Sequence, residues 1–445
     1  AEAWQPATDA TAPAAPAGLP AGFLAAAGAE GSRVAVRSGR RVPGVIPVFP
    51  GAGLVVATES AGGWRDRGFA DEVPDADVRS AAVAVAKGRA LVAYVIPEAN
   101  GAAACRVVAV PAKAGKRVGA TWRRLPDYPQ APGMAAPVSG WHRGALIVAG
   151  GTNWPQPGVK RWYDTIHVLV DGEKTWRDGG RLPAPRAYGA AVSLPDGVLV
   201  LGGDGGDAPE KLYQDAFFMA WDGQQVRLRP APALPLPLTN PAAIAVGGSV
   251  YLAGGNTGSP RLSHGGFWRL DLANPAAGWQ PLPLWPGPAR SHAVLAELDG
   301  AIYLVGGFET RVGADGKTQS AYLADAYRYR PGGQWETLPA PPWSTMAAPS
   351  PAPVTRSPAR LFLLGGVDGR QAGLLPRDVR VPEDIIYFDV ARHAWRLWPQ
   401  RWPASAVTIP AVPAGDEWIF ASGEIKGGVR MTEVWAWRPA PGRSR

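Results

Sequence analysis

The stretch LIVAGG (146–151) recurs as VLVLGG (198–203), VYLAGG (250–255), IYLVGG (302–307) and LFLLGG (361–366), and a degenerate sixth copy reads WIFASGE (418–424). From the first glycine of one pair to the next, the spacings are 52, 52, 52 and 59 residues. A fixed period of this length is the signature of stacked units that cannot bury their apolar faces alone.

Each period has the same internal order. An alternating apolar strand precedes the Gly-Gly strand, a variable loop follows, and then comes an aromatic strand: 164–170 (DTIHVLV), 215–221 (DAFFMAW), 266–272 (GFWRLDL), 325–330 (DAYRYR), 384–390 (DIIYFDV) and 433–437 (EVWAW). A Trp-bearing strand usually closes the unit, as in 175–183 (TWRDGGRLP), 278–283 (GWQPLP), 334–339 (QWETLP) and 394–399 (AWRLWP). Four short antiparallel strands of about 50 residues describe a kelch-type blade. The last unit supplies only three strands, and its fourth is available upstream as TWRRLP (121–126). Joining the two ends of the chain in one sheet removes two open edges. The predicted fold is all-β: a six-bladed kelch-type β-propeller over 119–445, closed by strand 121–126, with an additional N-terminal β-rich segment.

That segment, 23–118, contains the strand-like runs RVAVRS, VIPVF, LVVATES, AAVAVA, ALVAYVI and CRVVAV. It reads as a small appended domain in preference to two degenerate blades, because six blades already close the ring. Residues 1–22 form an Ala/Pro-rich flexible lead of the kind that follows a removed signal peptide, which points to a periplasmic or secreted location.

Gly 56 and Pro 47 are abundant, yet 46% of residues are apolar and 19 are Trp, so a disordered chain is excluded. No apolar run reaches the length of a membrane-spanning helix. The single cysteine, Cys105, sits in an apolar run and reads as a buried small hydrophobe, and no Cys/His spacing suits a metal. The formal charge of +8 is scattered and not striped, which argues against a nucleic-acid partner and leaves room for a small anionic ligand. No cofactor is expected.

Propeller loops converge at the mouth of the central channel, so candidates were sought there. Glu424 stands where the sixth unit departs from Gly-Gly, and Arg430 follows across a Gly-rich turn. At the starts of the innermost strands lie Arg186 (PRAYG), Asn240 (LTNPAA), and Arg290 with His292 (ARSHAV). In GGTNWP, Asn153 and Trp154 follow the first Gly pair, an arrangement suited to sugars. The bland readings are a surface ion pair for Glu424–Arg430 and inter-blade hydrogen bonding for the strand-start residues.

The runs GALIVAGGTNWP, KRWYDTIHVL, LPAPRAYGAAVSLPDGVLVLGG, WPGPARSHAV and SGEIKGGVR together resemble the cyclically permuted mutarotase family, related to bacterial N-acetylneuraminate epimerase. The resemblance covers about 120–445 and implies a six-bladed kelch propeller. It implies that Glu424 and Arg430 are catalytic, that the substrate is a small sugar acid such as N-acetylneuraminate, and that the anomers interconvert by acid/base ring opening and reclosure. Arg186, Asn240, Arg290, His292 and Asn153 are the expected substrate-binding residues. Gly427 departs from the family's Pro in this turn. The rival expectation is a non-catalytic kelch propeller that binds a carbohydrate or a protein. A copper radical oxidase needs a Cys–Tyr cross-link inside the propeller, where this chain has no Cys. A sialidase would show Asp-boxes in the blade turns, and none are present.

Overall fold

Short aliphatic runs that end in glycine can bury both faces only when antiparallel sheets stack on one another. A computed structural model of the chain describes the strand backbones between 23 and 111 and residues 121–439, except 157, 207–210, 259 and 375–377. The chain divides into two compact units, 1–117 and 118–445. The first holds a four-stranded antiparallel sheet (Phe23–Ala29, Ser32–Ser38, Leu54–Ser60, Gly63–Phe69) and a three-stranded one (Ser80–Ala86, Arg89–Pro97, Ala103–Pro111). The lead 1–22, the run VIPVF and the side chain of Cys105 lie outside the described residues.

The second unit is a propeller of six four-stranded sheets. The innermost strands run Val138–His142, Ala190–Leu194, Ala242–Val246, Val294–Leu298, Val354–Arg356 and Val412–Ala414, each paired with the strand that leads to a Gly pair. In the sixth sheet Thr121–Leu125 pairs with Val434–Arg438, and Trp122 lies opposite Trp437. All six blades are thus four-stranded, the propeller's first strand completing its last blade. No helix among the described residues is long and apolar enough to cross a membrane.

Two devices join blade to blade, and a third ties together the strands of a single blade. The first is the Gly pair: Gly254 has φ 64°, and a Cβ there would lie 2.2 Å from the Arg290 carbonyl oxygen of the next blade. No side chain fits that approach. The second is the outer-strand Trp, whose indole N–H donates to a Pro carbonyl of the preceding blade: Trp176 to Pro126 (3.1 Å), Trp279 to Pro232 (3.2 Å), Trp335 to Pro283 (2.8 Å) and Trp395 to Pro339 (2.7 Å). The closing Trp122 packs instead among Trp437, Phe420 and Trp402 at centroid distances of 5.5, 5.8 and 6.3 Å.

The third device is a buried arginine, at two of the positions expected to bind substrate, Arg186 and Arg290. Arg186, 1% exposed, donates to both oxygens of Asp215 at 2.8 Å and to the Gly202 carbonyl at 2.6 Å. Arg290, 0% exposed, donates to the two oxygens of Asp325 at 2.6 and 2.8 Å and to the Gly306 carbonyl at 2.9 Å. Tyr213 lies under the first guanidinium, and Trp285 and Tyr327 flank the second. Each arginine is spent on fastening the Gly-Gly corner of its own blade to the aromatic strand, since bidentate charged hydrogen bonds are the strong ones. Asn153 is likewise committed: it is fully buried, donates to the Gly133 carbonyl (3.1 Å) and accepts from Tyr163 (2.9 Å).

Removing one partner of a buried pair strands the other, at about 3–5 kcal/mol. Arg290→Met is therefore expected to lower the unfolding free energy by about 3 kcal/mol, read from urea midpoints at constant m-value. Trp122→Ala, which removes the ring-closing aromatic, should cost about 3–5 kcal/mol by the same measurement.

Candidate functional site

Ahead of each innermost strand one residue turns left-handed, two places before the strand in blades 1 to 4, seven in blade 5 and four in blade 6. In the six blades these are Ala136, Tyr188, Asn240, His292, Ala347 and Thr408, with φ between 53° and 60°. Their backbones form a closed circle of hydrogen bonds: Tyr188 N–H donates to Ala136 O (3.1 Å), Asn240 to Tyr188 (2.7 Å), His292 to Asn240 (3.1 Å), Ala347 to His292 (3.1 Å), Thr408 to Ala347 (2.9 Å) and Ala136 to Thr408 (2.7 Å). These residues surround an axial space of only about 80 Å³. That is too small for a sugar, so the circle is the floor of a site and not its chamber.

The residue before each member of the circle bridges to the residue that follows the Gly pair: Thr152, Asp204, Asn256, Phe308, Val367 and Glu424 in blades 1 to 6. Two of these six equivalent positions carry carboxylates. Glu424 heads a two-stranded hairpin in which it pairs with Arg430 across the ladder. The left-handed position of its turn is Gly428 (φ 78°), one residue beyond the Gly427 departure. Glu424 accepts from Arg430 Nη2 at 3.0 Å and from the Gly428 N–H at 3.1 Å. Arg430 is 7% exposed, and its Nε and Nη1 are enclosed with no hydrogen-bond partner. Unmatched buried donors cost about 1–3 kcal/mol and call for an explanation.

Around this pair gather Trp162 and residues that the sequence does not single out, Lys160, Asp204 and Arg261. Lys160 donates to the Tyr188 hydroxyl at 3.1 Å and lies 4.5 Å from the Trp162 ring and 5.0 Å from the Tyr188 ring. Trp162 donates its indole N–H to Asp204 at 2.7 Å. Asp204, 0% exposed, also accepts from Thr239 (3.1 Å) and Arg261 (3.1 Å). Burial raises the Asp204 carboxyl above the ordinary range, with Arg261, Trp162 and Thr239 opposing. Burial lowers the Lys160 ammonium, with the Asp204 charge opposing. Tyr188 is raised by burial and then by the Glu424 charge.

The expected binders thus separate into two groups. Glu424, Arg430, Asn240 and His292 gather near the axial circle, whereas Arg186, Arg290 and Asn153 are buried with their hydrogen bonds made inside the blades. His292 is held down to about 4 by burial and then by the Arg261 charge, so it is a neutral imidazole at neutral pH. Asn240 donates weakly to Asn256 at 3.4 Å. A larger cavity of about 670 Å³ opens at the other end of the innermost strands, beside Ser139, Ser193, Glu297 and Asp416, and includes none of the candidates. Among the described residues no group of three or more His, Cys, Asp or Glu side chains is placed to hold a metal.

Residues 231–375 match the family model for N-acetylneuraminate epimerase. That stretch runs from the end of blade 2 into blade 5, and Glu424 and Arg430 lie beyond it. Among curated relatives, the N-acetylneuraminate epimerase of Yersinia enterocolitica is 28% identical over 236 residues, 46% of this chain and 56% of the relative. That of Yersinia pestis (strain Pestoides F) is 28% identical over 253 residues, 47% of this chain and 60% of the relative. That of Haemophilus influenzae (strain 86-028NP) is 25% identical over 234 residues, with 46% and 58% covered. The matches therefore span less than two thirds of the relatives' lengths. A solved structure titled "Structure of YjhT" superposes with a TM-score of 0.54 at 12% identity, covering 70% of this chain and 95% of that one, which supports the fold. The chain is a six-bladed β-propeller whose middle blades are similar in sequence to bacterial N-acetylneuraminate epimerases.

Proposed function

We propose that this protein is a mutarotase that interconverts the anomers of a sialic-acid-like sugar acid. The observation that carries the reading is the Glu424–Arg430 pair above the axial circle, with the cations Lys160 and Arg261 and one further carboxylate, Asp204, in electrostatic reach. Three cations against two carboxylates leave a net positive mouth, which favours an anionic ligand. The similarity to N-acetylneuraminate epimerases supports the same substrate class.

Mutarotation requires that the anomeric hydroxyl lose its proton while the bond from the anomeric carbon to the ring oxygen breaks. Glu424 is 20% exposed and held by two donors, so one carboxylate face is fixed while the group still meets solvent. It is the general base for opening and, once protonated, the general acid for reclosure. Arg430 sits beside it as a permanent cation. Its remaining donors are enclosed, so its part is to orient Glu424 and to put positive charge beneath the substrate's carboxylate. With Arg186 and Arg290 spent inside their blades, Lys160 and Arg261 are the cations left to meet that carboxylate.

The test follows anomeric equilibration of freshly released α-N-acetylneuraminate by proton NMR at micromolar protein. A rate well above buffer is expected, with Glu424→Gln lowering the enhancement by about 10²-fold or more. Arg430→Ala should lower it as well and weaken binding of the sugar acid. A wild-type rate equal to buffer overturns the reading for this sugar. If Glu424→Gln leaves both rate and binding unchanged, a carbohydrate-binding propeller is the better description.

A further inference from the structure

Glu424 accounts for only half of the proton traffic. As the ring opens, the pair of electrons in the broken C–O bond moves to the ring oxygen, and that oxygen needs a proton from the opposite side. A single carboxylate held by Arg430 and the Gly428 N–H has one face fixed and cannot serve both oxygens at once. At the same end of the axis the structure places a neutral proton donor with a charged partner, the Tyr188 hydroxyl.

Tyr188 is a member of the axial circle, with φ 60°. A non-glycine side chain in the left-handed region is strained, and such strain concentrates at functional positions. The bulky Tyr188 occupies this position where blades 1 and 5 have Ala. Lys160 reaches over from the hairpin of blade 1 to donate to its hydroxyl at 3.1 Å, held between the Trp162 and Tyr188 rings. Trp162 is fixed in turn by its hydrogen bond to Asp204. The ammonium's position is therefore set by the Tyr188 hydroxyl and by the Trp162 and Tyr188 rings. Glu424, Arg430, Asp204 and Arg261 all act electrostatically on Tyr188, as they do on Lys160, so the hydroxyl shares one mouth with the Glu424 carboxylate.

We propose that Tyr188 is the second proton-transfer group, serving the ring oxygen while Glu424 serves the anomeric hydroxyl, with Lys160 as the positioning residue that stabilises the phenolate. The inference rests on the mutarotase reading. On opening, Glu424 takes the anomeric O–H proton, the C–O bond to the ring oxygen breaks, and the ring oxygen takes the proton of Tyr188. The resulting phenolate accepts a hydrogen bond from Lys160. After rotation about the adjacent C–C bond, the chain hydroxyl attacks the other face of the carbonyl and returns its proton to Tyr188. Glu424 gives its proton to the carbonyl oxygen. No proton is gained or lost over the cycle. Burial keeps the Tyr188 hydroxyl protonated in the resting site, and a developing alkoxide is basic enough to take its proton.

The test measures kcat and KM for equilibration of α-N-acetylneuraminate from pH 6 to 10 in wild type, Tyr188→Phe, Lys160→Met, Lys160→Arg and Glu424→Gln. Tyr188→Phe is expected to lower kcat by about 10²-fold with KM within threefold. Lys160 must be charged to act, and burial lowers its pKa while Asp204 and Glu424 oppose and Arg430 and Arg261 assist. Wild-type kcat should therefore fall as pH rises, beginning below the usual lysine range. Lys160→Met should lower kcat and abolish that basic limb, and Lys160→Arg should restore part of the rate. A wild-type enzyme that is active, with Tyr188→Phe within twofold of it and Glu424→Gln inactive, overturns this inference and leaves the mutarotase reading standing. A wild-type rate equal to buffer overturns both. Should Tyr188→Phe melt early, the basic limb of Lys160→Met decides: a limb unchanged from wild type overturns the proposal.

Discussion

Six backbone hydrogen bonds that close on themselves around the axis constrain everything else in the propeller. Each member of the circle donates to its predecessor, and the last acceptor is the first donor's own residue. Such a circle exists only if every blade repeats the same rotation, so no blade can be added, lost or loosely placed without breaking two of its bonds. Its demand on the chain is a left-handed backbone at six non-glycine positions, which costs of order 1 kcal/mol or more at each. The cost is offset at larger radius, where the Gly-Gly corners, the bidentate arginines and the Trp-to-Pro hydrogen bonds tie neighbouring strands together. The fully paired sixth sheet matters for the same reason: without Thr121–Leu125 the outermost edge of that blade would be open, and Trp437 would lose its facing Trp122.

The circle also turns six unrelated side chains toward one end of the axis, and the repeat then differentiates them. At the positions after the Gly pairs, blades 1, 2, 3 and 6 carry Thr152, Asp204, Asn256 and Glu424, while blades 4 and 5 carry Phe308 and Val367. Polar chemistry is thus confined to one part of a symmetric frame. A site built from loops on a rigid repeat can vary in this way without touching the cores, because the cores are filled by alternating residues one strand further along.

The blade count was readable in sequence because the paired positions at φ near 60° and 100° favour glycine strongly enough to survive as a period, with Ser422 (φ 63°) the one replacement among the six described pairs. The carboxylate at 204 was also readable in principle: aligned on the Gly pairs, Asp204 and Glu424 occupy the same column. The burial of Arg186 and Arg290 was not readable because a strand start does not announce its register. They stand two residues ahead of the circle members Tyr188 and His292, and that offset points them into the blade. The aspartates that receive them, Asp215 and Asp325, open the aromatic strands and are visible as a recurrent feature, yet their pairing across 29 and 35 residues is a tertiary fact. Lys160 and Arg261 come from loops that belong to no repeat, so no periodicity marks them.

The energetic pattern has its own direction. Arg186 and Arg290 direct their Nη groups to a carboxylate and a carbonyl, as buried charges require, although Arg186 Nε is unmatched. Arg430 is also buried, yet two of its nitrogens are unmatched, and like Asp215 and Asp325 its carboxylate partner is partly open to solvent. Asp204 is raised and Lys160 lowered by the same lack of water. The sixth blade leaves two nitrogens of its buried arginine unmatched, where Arg186 leaves one. Selection for stability alone would have matched those donors or replaced the arginine with an apolar residue. Keeping the charge there, beside a carboxylate that can still exchange a proton with whatever enters, is how a stable propeller comes to hold a reactive mouth.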